Sequence, residues 1–324
     1  MKTKNYLKRI FVSALAILAV SPCVNAGDKD FKGYLFTYFT GNRIEQEAIC
    51  YALSEDGLHF KALNGNKPII DSKKISLTGG VRDPHILRCE DGKTFYMVAT
   101  DMVSANGWDS NRGMVLMKST DLVNWRHSAI HIPTRYAGQE NLKRVWAPQT
   151  IYDPECKKYM VYWSMQHGDG PDIIYYAYAN RDFSDLEGEP RPLFIPADKK
   201  SCIDGDIVFH DGKFHLFYKT EGHGNGIKVA TTRSLTSGQW DEDPEYKQQT
   251  TDAVEGAGTF KLIGQDKYIL MYDVYMNKKY QFTETTDLKN FTIVDGVEMD
   301  FHPRHGTVIP VTAKEMKRLR KQYR

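Results

Sequence analysis

Four segments of the chain share one order of apolar and polar positions. Each begins with a short apolar run, passes through a tight turn that contains Asp or Gly, and ends in a run that mixes aromatic and aliphatic residues. The segments are RDPHILRCEDGKTFYMVATD from Arg82, WAPQTIYDPECKKYMVYWS from Trp146, IDGDIVFHDGKFHLFYKTE from Ile203 and EGAGTFKLIGQDKYILMYD from Glu255. This order is typical of two strands joined by a tight turn. Because long helical patterns are missing, we expect an all-β protein.

A second, polar motif recurs between these segments. Its copies are SEDGLHF from Ser54, STDLVNW from Ser119, NRDFSDL from Asn180, TRSLTSGQW from Thr232 and TTDLKNF from Thr285. Five copies at this spacing predict five propeller blades of four strands, since one blade cannot bury both of its faces alone. GYLFTYFTG from Gly33 and HGTVIPVT from His305 lie at the two ends. We expect them to pair and close the ring. The predicted fold is a single five-bladed β-propeller over residues 27–324.

The first 26 residues have a different pattern. Basic residues precede an uninterrupted apolar and small run from Ile10 to Val20, and small residues lead up to Ala26. This pattern is typical of a secretory signal peptide cleaved after Ala26, so we expect a secreted or periplasmic protein. The alternative is a lipoprotein anchored at Cys23, which the preceding Ser21 and Pro22 disfavour.

Charge and cysteine content exclude several classes of protein. Removal of the leader moves the formal net charge from +2 to −2, so nothing indicates a nucleic-acid partner. No second apolar run has the length of a membrane span. Cys50, Cys89, Cys156 and Cys202 are irregularly spaced, which favours buried, inert thiols over a disulfide framework. We expect a monomer that requires no cofactor, and a solvated basic helix in the C-terminal AKEMKRLRKQYR.

The repeat places acidic residues at matching positions. Asp83, Ala147, Asp204 and Glu255 stand 10, 10, 9 and 12 residues before the turn lysine of their segments, so we expect them to open the innermost strands of four blades. Innermost strands run along the axis of a propeller, and their first residues meet at one mouth. Close carboxylates push their pKa values apart, which suits an acid and a base. The alternative is ordinary turn chemistry, because Asp-Pro and Asp-Gly are common turn dipeptides. Asp206 competes with Asp204.

The order of these openings resembles glycoside hydrolase family 43. Asp-Pro opens one blade, Trp-Ala-Pro the next, then Ile-Asp, Glu-Gly and a closing His-Gly. The resemblance implies inverting hydrolysis with Asp83 as general base, Glu255 as general acid and Asp204 orienting that acid and raising its pKa. It also implies that a structural calcium ion can lie on the axis. Gly205 and Ala257 depart from the pattern, because the family usually has Pro at both places.

Other side chains are candidates for binding a sugar. Trp146 opens a first strand and could stack on a sugar, the alternative being core packing. Trp108 lies in a loop, the alternative being a plain surface position. The remaining candidates are Arg82 beside the proposed base, Lys219 at the end of a strand, and His305 at the start of the closing strand.

The resemblance implies a carbohydrate substrate from plant-type glycans. Arabinose and xylose are the family's usual sugars, so we expect an α-L-arabinofuranosidase. A β-xylosidase, a β-galactosidase and an endo-arabinanase stay open, because loop shape decides among them. A propeller that binds glycans without catalysis is a further alternative. So is a phosphorylase, which would use Arg82, Lys219 and Arg304 to bind phosphate.

Overall fold

A computed structural model describes residues 30–222 and 224–324, so the predicted leader, its cleavage site and Cys23 lie outside the described residues. The described strands are β1 (Phe31–Tyr38), β2 (Cys50–Ser54), β3 (His59–Ala62), β4 (Val81–Arg88), β5 (Phe95–Asp101), β6 (Gly113–Ser119), β7 (Arg126–His131), β8 (Leu142–Asp153), β9 (Lys158–His167), β10 (Ile173–Ala179), β11 (Leu186–Phe194), β12 (Cys202–His210), β13 (Lys213–Thr220), β14 (Ile227–Thr232), β15 (Asp241–Glu242), β16 (Glu255–Lys261), β17 (Tyr268–Val274), β18 (Lys279–Thr285), β19 (Thr292–Ile293), β20 (Glu298–Met299) and β21 (Thr307–Thr312). The helices are α1 (Ser72–Ile75), α2 (Ile132–Arg135) and α3 (Ala313–Gln322). None of these helices has the length and apolarity to cross a membrane.

The strands form five antiparallel blades arranged in a ring. Four blades follow chain order, with β4 to β7 as blade one, β8 to β11 as blade two, β12 to β15 as blade three and β16 to β19 as blade four. Blade five combines both ends of the chain in the order β21, β1, β2, β3, with β20 added in parallel at its outer edge. The first strands of the blades contact one another around the axis. The predicted five-bladed propeller is confirmed.

The ring closes through the strand pairing that the sequence indicated. β1 pairs with β2 on one side and with β21 on the other, and Phe36 lies opposite Val308. This pairing satisfies backbone groups that would otherwise form an open sheet edge.

The apolar residues form five cores, one between each pair of neighbouring blades. Along β5, Phe95 and Met97 pack towards blade five, whereas Tyr96 and Val98 pack towards blade two. Each blade is therefore covered on both faces. This is why the strands alternate between aromatic and aliphatic residues instead of between apolar and polar ones.

The polar motif forms the turn between the third and fourth strands of a blade. In blade one, the Ser119 hydroxyl accepts from the backbone N–H groups of Asp121 and Leu122, and the Asp121 carboxylate accepts from those of Val123 and Asn124. Leu122 has a φ of 65° and is fully buried. The uncommon backbone conformation of Leu122 thus accompanies the burial of its apolar side chain.

A β-bulge interrupts the first strand of blades one to four. In β4, Arg82 pairs with Thr100 and His85 with Val98, so two residues lie opposite one. Matching register shifts follow Trp146 in β8, Ile203 in β12 and Glu255 in β16. The first residue of each bulge has a positive φ, namely Asp83 (49°), Ala147 (45°), Asp204 (53°) and Gly256 (64°).

The register predicted for blade four is therefore wrong by one residue. Gly256, not Glu255, is the equivalent of Asp83 and Asp204, and Glu255 is the equivalent of Arg82. The turns of blades one and four each span six residues, but Lys93 stands two residues before β5 whereas Lys267 stands one residue before β17. Counting residues back from these lysines therefore hid the shift.

The bulges also join neighbouring blades. The backbone N–H of Ala147 donates to Thr100 Oγ1 of blade one at 2.9 Å, and that of Asp204 donates to Ser164 Oγ of blade two at 3.1 Å. The N–H of Gly256 donates to Asp204 Oδ2 at 3.0 Å. The bulges of blades two, three and four are thus each held by the blade before them.

The C-terminal helix is not merely solvated, as the basic sequence suggested. Met316 and Leu319 of α3 are buried in the core between blades five and one, and Arg88 forms an ion pair with Glu315. The prediction failed because it weighed net charge and overlooked apolar residues three apart.

The cysteine prediction holds for three of the four residues. Cys50, Cys89 and Cys202 are buried free thiols, and burial raises the pKa of Cys50 to about 12. Cys156 is exposed, because it lies in the turn between β8 and β9.

Candidate active site

The bulges open into one pocket at a mouth of the ring. Its volume is about 430 Å³. Asp83, Asp204 and Glu255 line it, as do all five predicted binding residues, Arg82, Trp108, Trp146, Lys219 and His305. The other lining residues are Asn42, Met102, Arg144, Ile203, Glu221, Tyr275, Met276 and Arg304. The structure therefore brings these eight side chains together, and Asp206, the alternative to Asp204, is not among the lining residues.

Asp83 is oriented by two neighbours. Thr100 Oγ1 donates to Asp83 Oδ2 at 2.7 Å, and His305 Nδ1 lies 3.7 Å from Asp83 Oδ1. Its side chain is partly exposed in the pocket. Asp83 can therefore accept a proton from a bound molecule while its carboxylate plane stays fixed.

Asp204 is a nearly buried carboxylate among other charges. Burial is the main cause that raises its pKa to about 6, and the negative charges of Glu255 and Asp83 add to this, while His305 and Lys219 oppose it. Its Oδ2 accepts the N–H of Gly256 and lies 4.0 Å from His305 Nδ1. This hydrogen bond places Asp204 directly beside the backbone that carries Glu255.

Asp206 points away from the pocket. Its Oδ2 accepts hydrogen bonds from the backbone N–H and the hydroxyl of Thr259, at 2.9 and 2.6 Å. Burial raises the pKa of Asp206 to about 6 against those hydrogen bonds. Of the two competing residues, Asp204 is the one that lines the pocket.

Glu255 lies between two cations. An Arg304 NH2 group donates to Glu255 Oε1 at 2.6 Å, and Lys219 Nζ lies 3.8 Å from Oε2. Arg304 is shared with the buried Asp273, to which its Nε donates at 2.5 Å. Lys219 is shared with Glu221 at 2.7 Å. The positive charges beside Glu255 are thus compensated by other carboxylates.

Gly256 leaves room for His305. A Cβ atom on Gly256 would lie 2.8 Å from the His305 ring, and its φ of 64° suits glycine. The Glu-Gly dipeptide therefore serves two purposes, since Glu255 enters the pocket and Gly256 lets the histidine pack against the backbone.

One wall of the pocket consists of paired aromatic and guanidinium groups. The Arg82 guanidinium lies 5.3 Å from the centre of the Trp108 ring and forms an ion pair with the buried Glu47. Arg144 lies 4.0 Å from the Trp146 ring. The two tryptophan rings meet edge to face at 6.4 Å. Such a wall suits the C–H face of a sugar.

Sequence reasoning missed part of the lining. Arg144 follows Lys143 in a segment without any repeat signal, and Tyr275 and Met276 lie in a hairpin turn of blade four. No repeat could have found them, because Arg144 lies in β8 before the repeated segment begins, and the turn of Tyr275 and Met276 meets other blades only after the ring has closed.

The axis below the pocket is lined with buried polar groups. Burial, together with the nearby His305, lowers the pKa of His85 to about 3, so this ring is neutral. The Thr150 N–H donates to His85 Nδ1 at 3.3 Å. The described residues contain no group of three or more His, Cys, Asp or Glu side chains placed to hold a metal ion. An axial calcium ion stays a prediction, and it would depend mainly on backbone carbonyls and water.

Comparison with known proteins assigns this domain to a class. The family model described as a probable glycosyl hydrolase domain, of the group related to family 43, matches residues 29–317. The chain thus contains a glycosyl hydrolase domain. More closely, the chain belongs to glycoside hydrolase family 43.

One curated relative is an α-L-arabinofuranosidase of Bifidobacterium longum subsp. longum. It is 31% identical over 305 aligned positions, which cover 78% of this chain. The chain spans only 28% of that relative's length.

Solved structures share the fold. An endo-1,4-beta-xylanase of Bacteroides thetaiotaomicron is similar with a TM-score of 0.59 and 17% identity, over 84% of this chain and 92% of that one. The family 43 protein BlXynB of Bacillus licheniformis has a TM-score of 0.55 and 18% identity, over 87% and 55%. An exo-beta-1,3-galactanase of Phanerochaete chrysosporium, crystallised with beta-1,3-galactotriose, has a TM-score of 0.53 and 16% identity, over 68% and 52%.

Proposed function

We propose that the protein is an inverting α-L-arabinofuranosidase that releases terminal sugars from plant-type glycans. The observation that carries the proposal is the meeting of Asp83, Asp204 and Glu255, from three blades, in one pocket at the mouth of the ring. The sugar is inferred from the relative that is 31% identical over most of this chain.

In the proposed mechanism, Asp83 is the general base. It takes a proton from a water molecule as the water oxygen forms a bond to the anomeric carbon. Inversion requires roughly 6.5–9.5 Å between the two catalytic carboxyl groups, because that water lies between the base and the sugar. The hydroxyl of Thr100 and the ring of His305 hold Asp83 in place for this step.

Glu255 is the proposed general acid. As the bond between the anomeric carbon and the glycosidic oxygen breaks, the proton of Glu255 moves to that oxygen. Arg304 holds Oε1, so we assign the proton to Oε2. Asp204 acts on Glu255 through its negative charge and through its hydrogen bond to the next backbone N–H. Exchange with solvent then returns the proton from Asp83 and restores that of Glu255.

The charge balance of the pocket favours hydrolysis over phosphorolysis. The three cations proposed to hold phosphate are already paired, Arg82 with Glu47, Lys219 with Glu221, and Arg304 with Asp273 and Glu255. An incoming phosphate would have to displace these carboxylates and would meet the negative charge of the catalytic groups.

The pocket also favours an enzyme over a simple glycan-binding protein. Binding a sugar does not require a nearly buried carboxylate such as Asp204, whose ionisation opposes folding at neutral pH. Such a side chain is understandable where it serves a reaction.

The test is hydrolysis of nitrophenyl glycosides with α-L-arabinofuranosyl, β-D-xylosyl and β-D-galactosyl groups. We expect release of nitrophenol from the first of these. Asp83→Asn should lower kcat by at least about a hundredfold for every active substrate, the scale of lost general base catalysis. Glu255→Gln should lower kcat strongly only for poor leaving groups. Proton NMR of the first product should show an inverted anomeric centre.

A variant outside the reaction serves as control. Asp206 lies in β12, the strand that also carries Asp204, but it does not line the pocket. We expect Asp206→Asn to retain wild-type activity with all substrates. If only the xyloside or the galactoside were hydrolysed, the proposed sugar would be wrong. If neither Asp83→Asn nor Glu255→Gln changed kcat, the assigned roles would be wrong.

We also propose that the protein is exported, on the strength of the leader pattern before Gly27. Expression in a bacterial host with fractionation should yield a mature chain that begins at Gly27 by N-terminal sequencing. Retention of the full chain in the cytoplasm would contradict this.

A further inference from the structure

A short turn at the rim of the pocket has no role in the mechanism above. Tyr275–Asn277 forms a single helical turn between β17 and β18 of blade four. Asn277 Nδ2 donates to Asp252 Oδ2 at 2.8 Å, and the hairpin on either side pairs Val274 with Lys279. The turn is therefore fixed relative to the pocket.

The turn presents an unusual surface to solvent. Met276 is 75% exposed, the highest value among the large apolar side chains of the described residues, and it lines the pocket. Tyr275 beside it also lines the pocket. Apolar groups exposed at the mouth of a polar pocket are typical of a binding surface.

The position of the turn relative to Glu255 decides which part of a substrate it can reach. Lys219 Nζ lies 3.8 Å from Glu255 Oε2 and 5.2 Å from the centre of the Tyr275 ring. Tyr275 is thus on the side of Glu255, and Met276 is next to it in the same turn. Trp108 instead contacts Arg82, the residue before Asp83.

In the proposed reaction, the side of Glu255 and the side of Asp83 contact different parts of the substrate. A general acid must touch the glycosidic oxygen, so the leaving group lies on the acid's side of the pocket. The base and its water lie on the opposite face of the terminal sugar. Residues at the rim beside Glu255 therefore meet the leaving group, and Trp108 and Trp146 meet the terminal sugar.

We propose that Tyr275 and Met276 form the binding site for the sugar unit on the leaving-group side of the scissile bond. This inference rests on the proposed glycosidase function and goes beyond it by assigning a second sugar site. Both side chains are uncharged, so the unit that fits is a neutral sugar whose C–H face packs on the aromatic ring and the thioether.

The test compares a two-sugar ligand with a one-sugar ligand. For Met276→Ala, we expect KM for arabinobiose to rise about tenfold, the scale of losing one buried apolar side chain from a contact. The inhibition constant of free L-arabinose should stay within twofold of wild type, because this sugar occupies only the terminal site. Tyr275→Ala should behave in the same way.

The matched control is Ile293→Ala. Ile293 is another exposed apolar residue of blade four, on its outer strand β19, so the substitution removes similar surface far from the pocket. We expect Ile293→Ala to change neither KM for arabinobiose nor the inhibition constant of L-arabinose.

The outcomes separate this inference from the proposed function. If wild type hydrolyses arabinobiose and Met276→Ala and Tyr275→Ala match it, the second site is wrong while the function stands. The same conclusion follows if the inhibition constant of L-arabinose rises as much as KM for arabinobiose does. If wild type acts on no glycoside of the panel, the function fails, and the inference fails with it.

Discussion

At the scale of single residues, the surroundings of Asp204 disfavour the ionised form of its carboxyl group. Its folded-state pKa of about 6 lies above the value of about 3.9 for a free Asp. The folded protein therefore binds this proton more tightly than the unfolded chain does. Its contribution to stability is greatest below about pH 4 and falls as the pH rises through 6.

We predict that Asp204→Asn stabilises the protein at neutral pH while it abolishes activity. The amide removes a charge that is costly to bury, and its oxygen can still accept the N–H of Gly256. The free energy of unfolding should rise on the order of 1 to 3 kcal/mol at pH 7.5, and the gain should vanish near pH 4. Urea unfolding of both proteins at the two pH values measures this. An equal gain in the free energy of unfolding at pH 7.5 and near pH 4 would show that the charge of Asp204 is not the cause.

Gly256 allows a test of how the backbone supports the site. We predict that Gly256→Ala lowers kcat at least about tenfold, because the new Cβ would displace the His305 ring next to Asp83 and Asp204. Gly264→Ala is the matched control, since Gly264 has a φ of 72° and open space around its Cβ position. Both variants should lose about 1 kcal/mol of stability from the positive φ. Equal kcat values for the two would contradict the role given to His305.

Sequence reasoning succeeded for residues that recur in the blades and failed for those that do not. Asp83 and Asp204 were found because the same bulge repeats in the same register. Glu255 was found for a partly wrong reason, since the bulge begins one residue later. Arg144 and Tyr275 could not be found, because Arg144 lies in β8 before the repeated segment and Tyr275 lies in a turn that meets other blades only in the closed ring.

At the scale of elements, the recurring turn carries a hydrogen-bonded, ionised carboxylate in three of the five blades, at Asp56, Asp121 and Asp287. Partial burial raises the pKa of Asp121, but hydrogen bonds from Asn124, Val123 and Ser119 outweigh this and lower the pKa to about 2. Equivalent hydrogen bonds lower the pKa of Asp56 and Asp287 in two other blades, with the His59 ring in place of the Asn side chain at Asp56. A lowered folded-state pKa stabilises the fold above about pH 4 and loses that effect as the pH falls towards 2.

We predict that Asp121→Asn lowers the melting temperature at pH 6 and that the difference from wild type narrows steadily down to pH 3. Other carboxylates titrate in both proteins and cancel in the comparison. Thermal unfolding followed by circular dichroism across this range measures it. A difference that stayed constant with pH would show that the shape of the side chain matters and its charge does not.

At the scale of the whole molecule, α3 covers the junction where the ring closes. The helix contacts β1 and β21, and Leu319 is fully buried in the core between blades five and one. The two ends of the chain are thus held by strand pairing and by an apolar cover.

We predict that Leu319→Ala costs about 2 to 5 kcal/mol of stability, the usual cost of a cavity at a buried leucine. Lys317→Ala, on the exposed face of the same helix, should be neutral. Unfolding followed by tryptophan fluorescence and by circular dichroism should coincide for both variants, because opening the closure exposes the cores of both adjoining blades. Separate transitions would show that the blades unfold independently.

The repeated bulge also bears on how this architecture acquires new chemistry. Four blades offer one backbone position of the same shape at the mouth, occupied here by Asp83, Ala147, Asp204 and Gly256. Two of these positions carry carboxylates that line the pocket and two do not. The blades thus offer equivalent backbone positions around the mouth. A change of activity can arise by replacing the side chains at these positions while the main chain is retained.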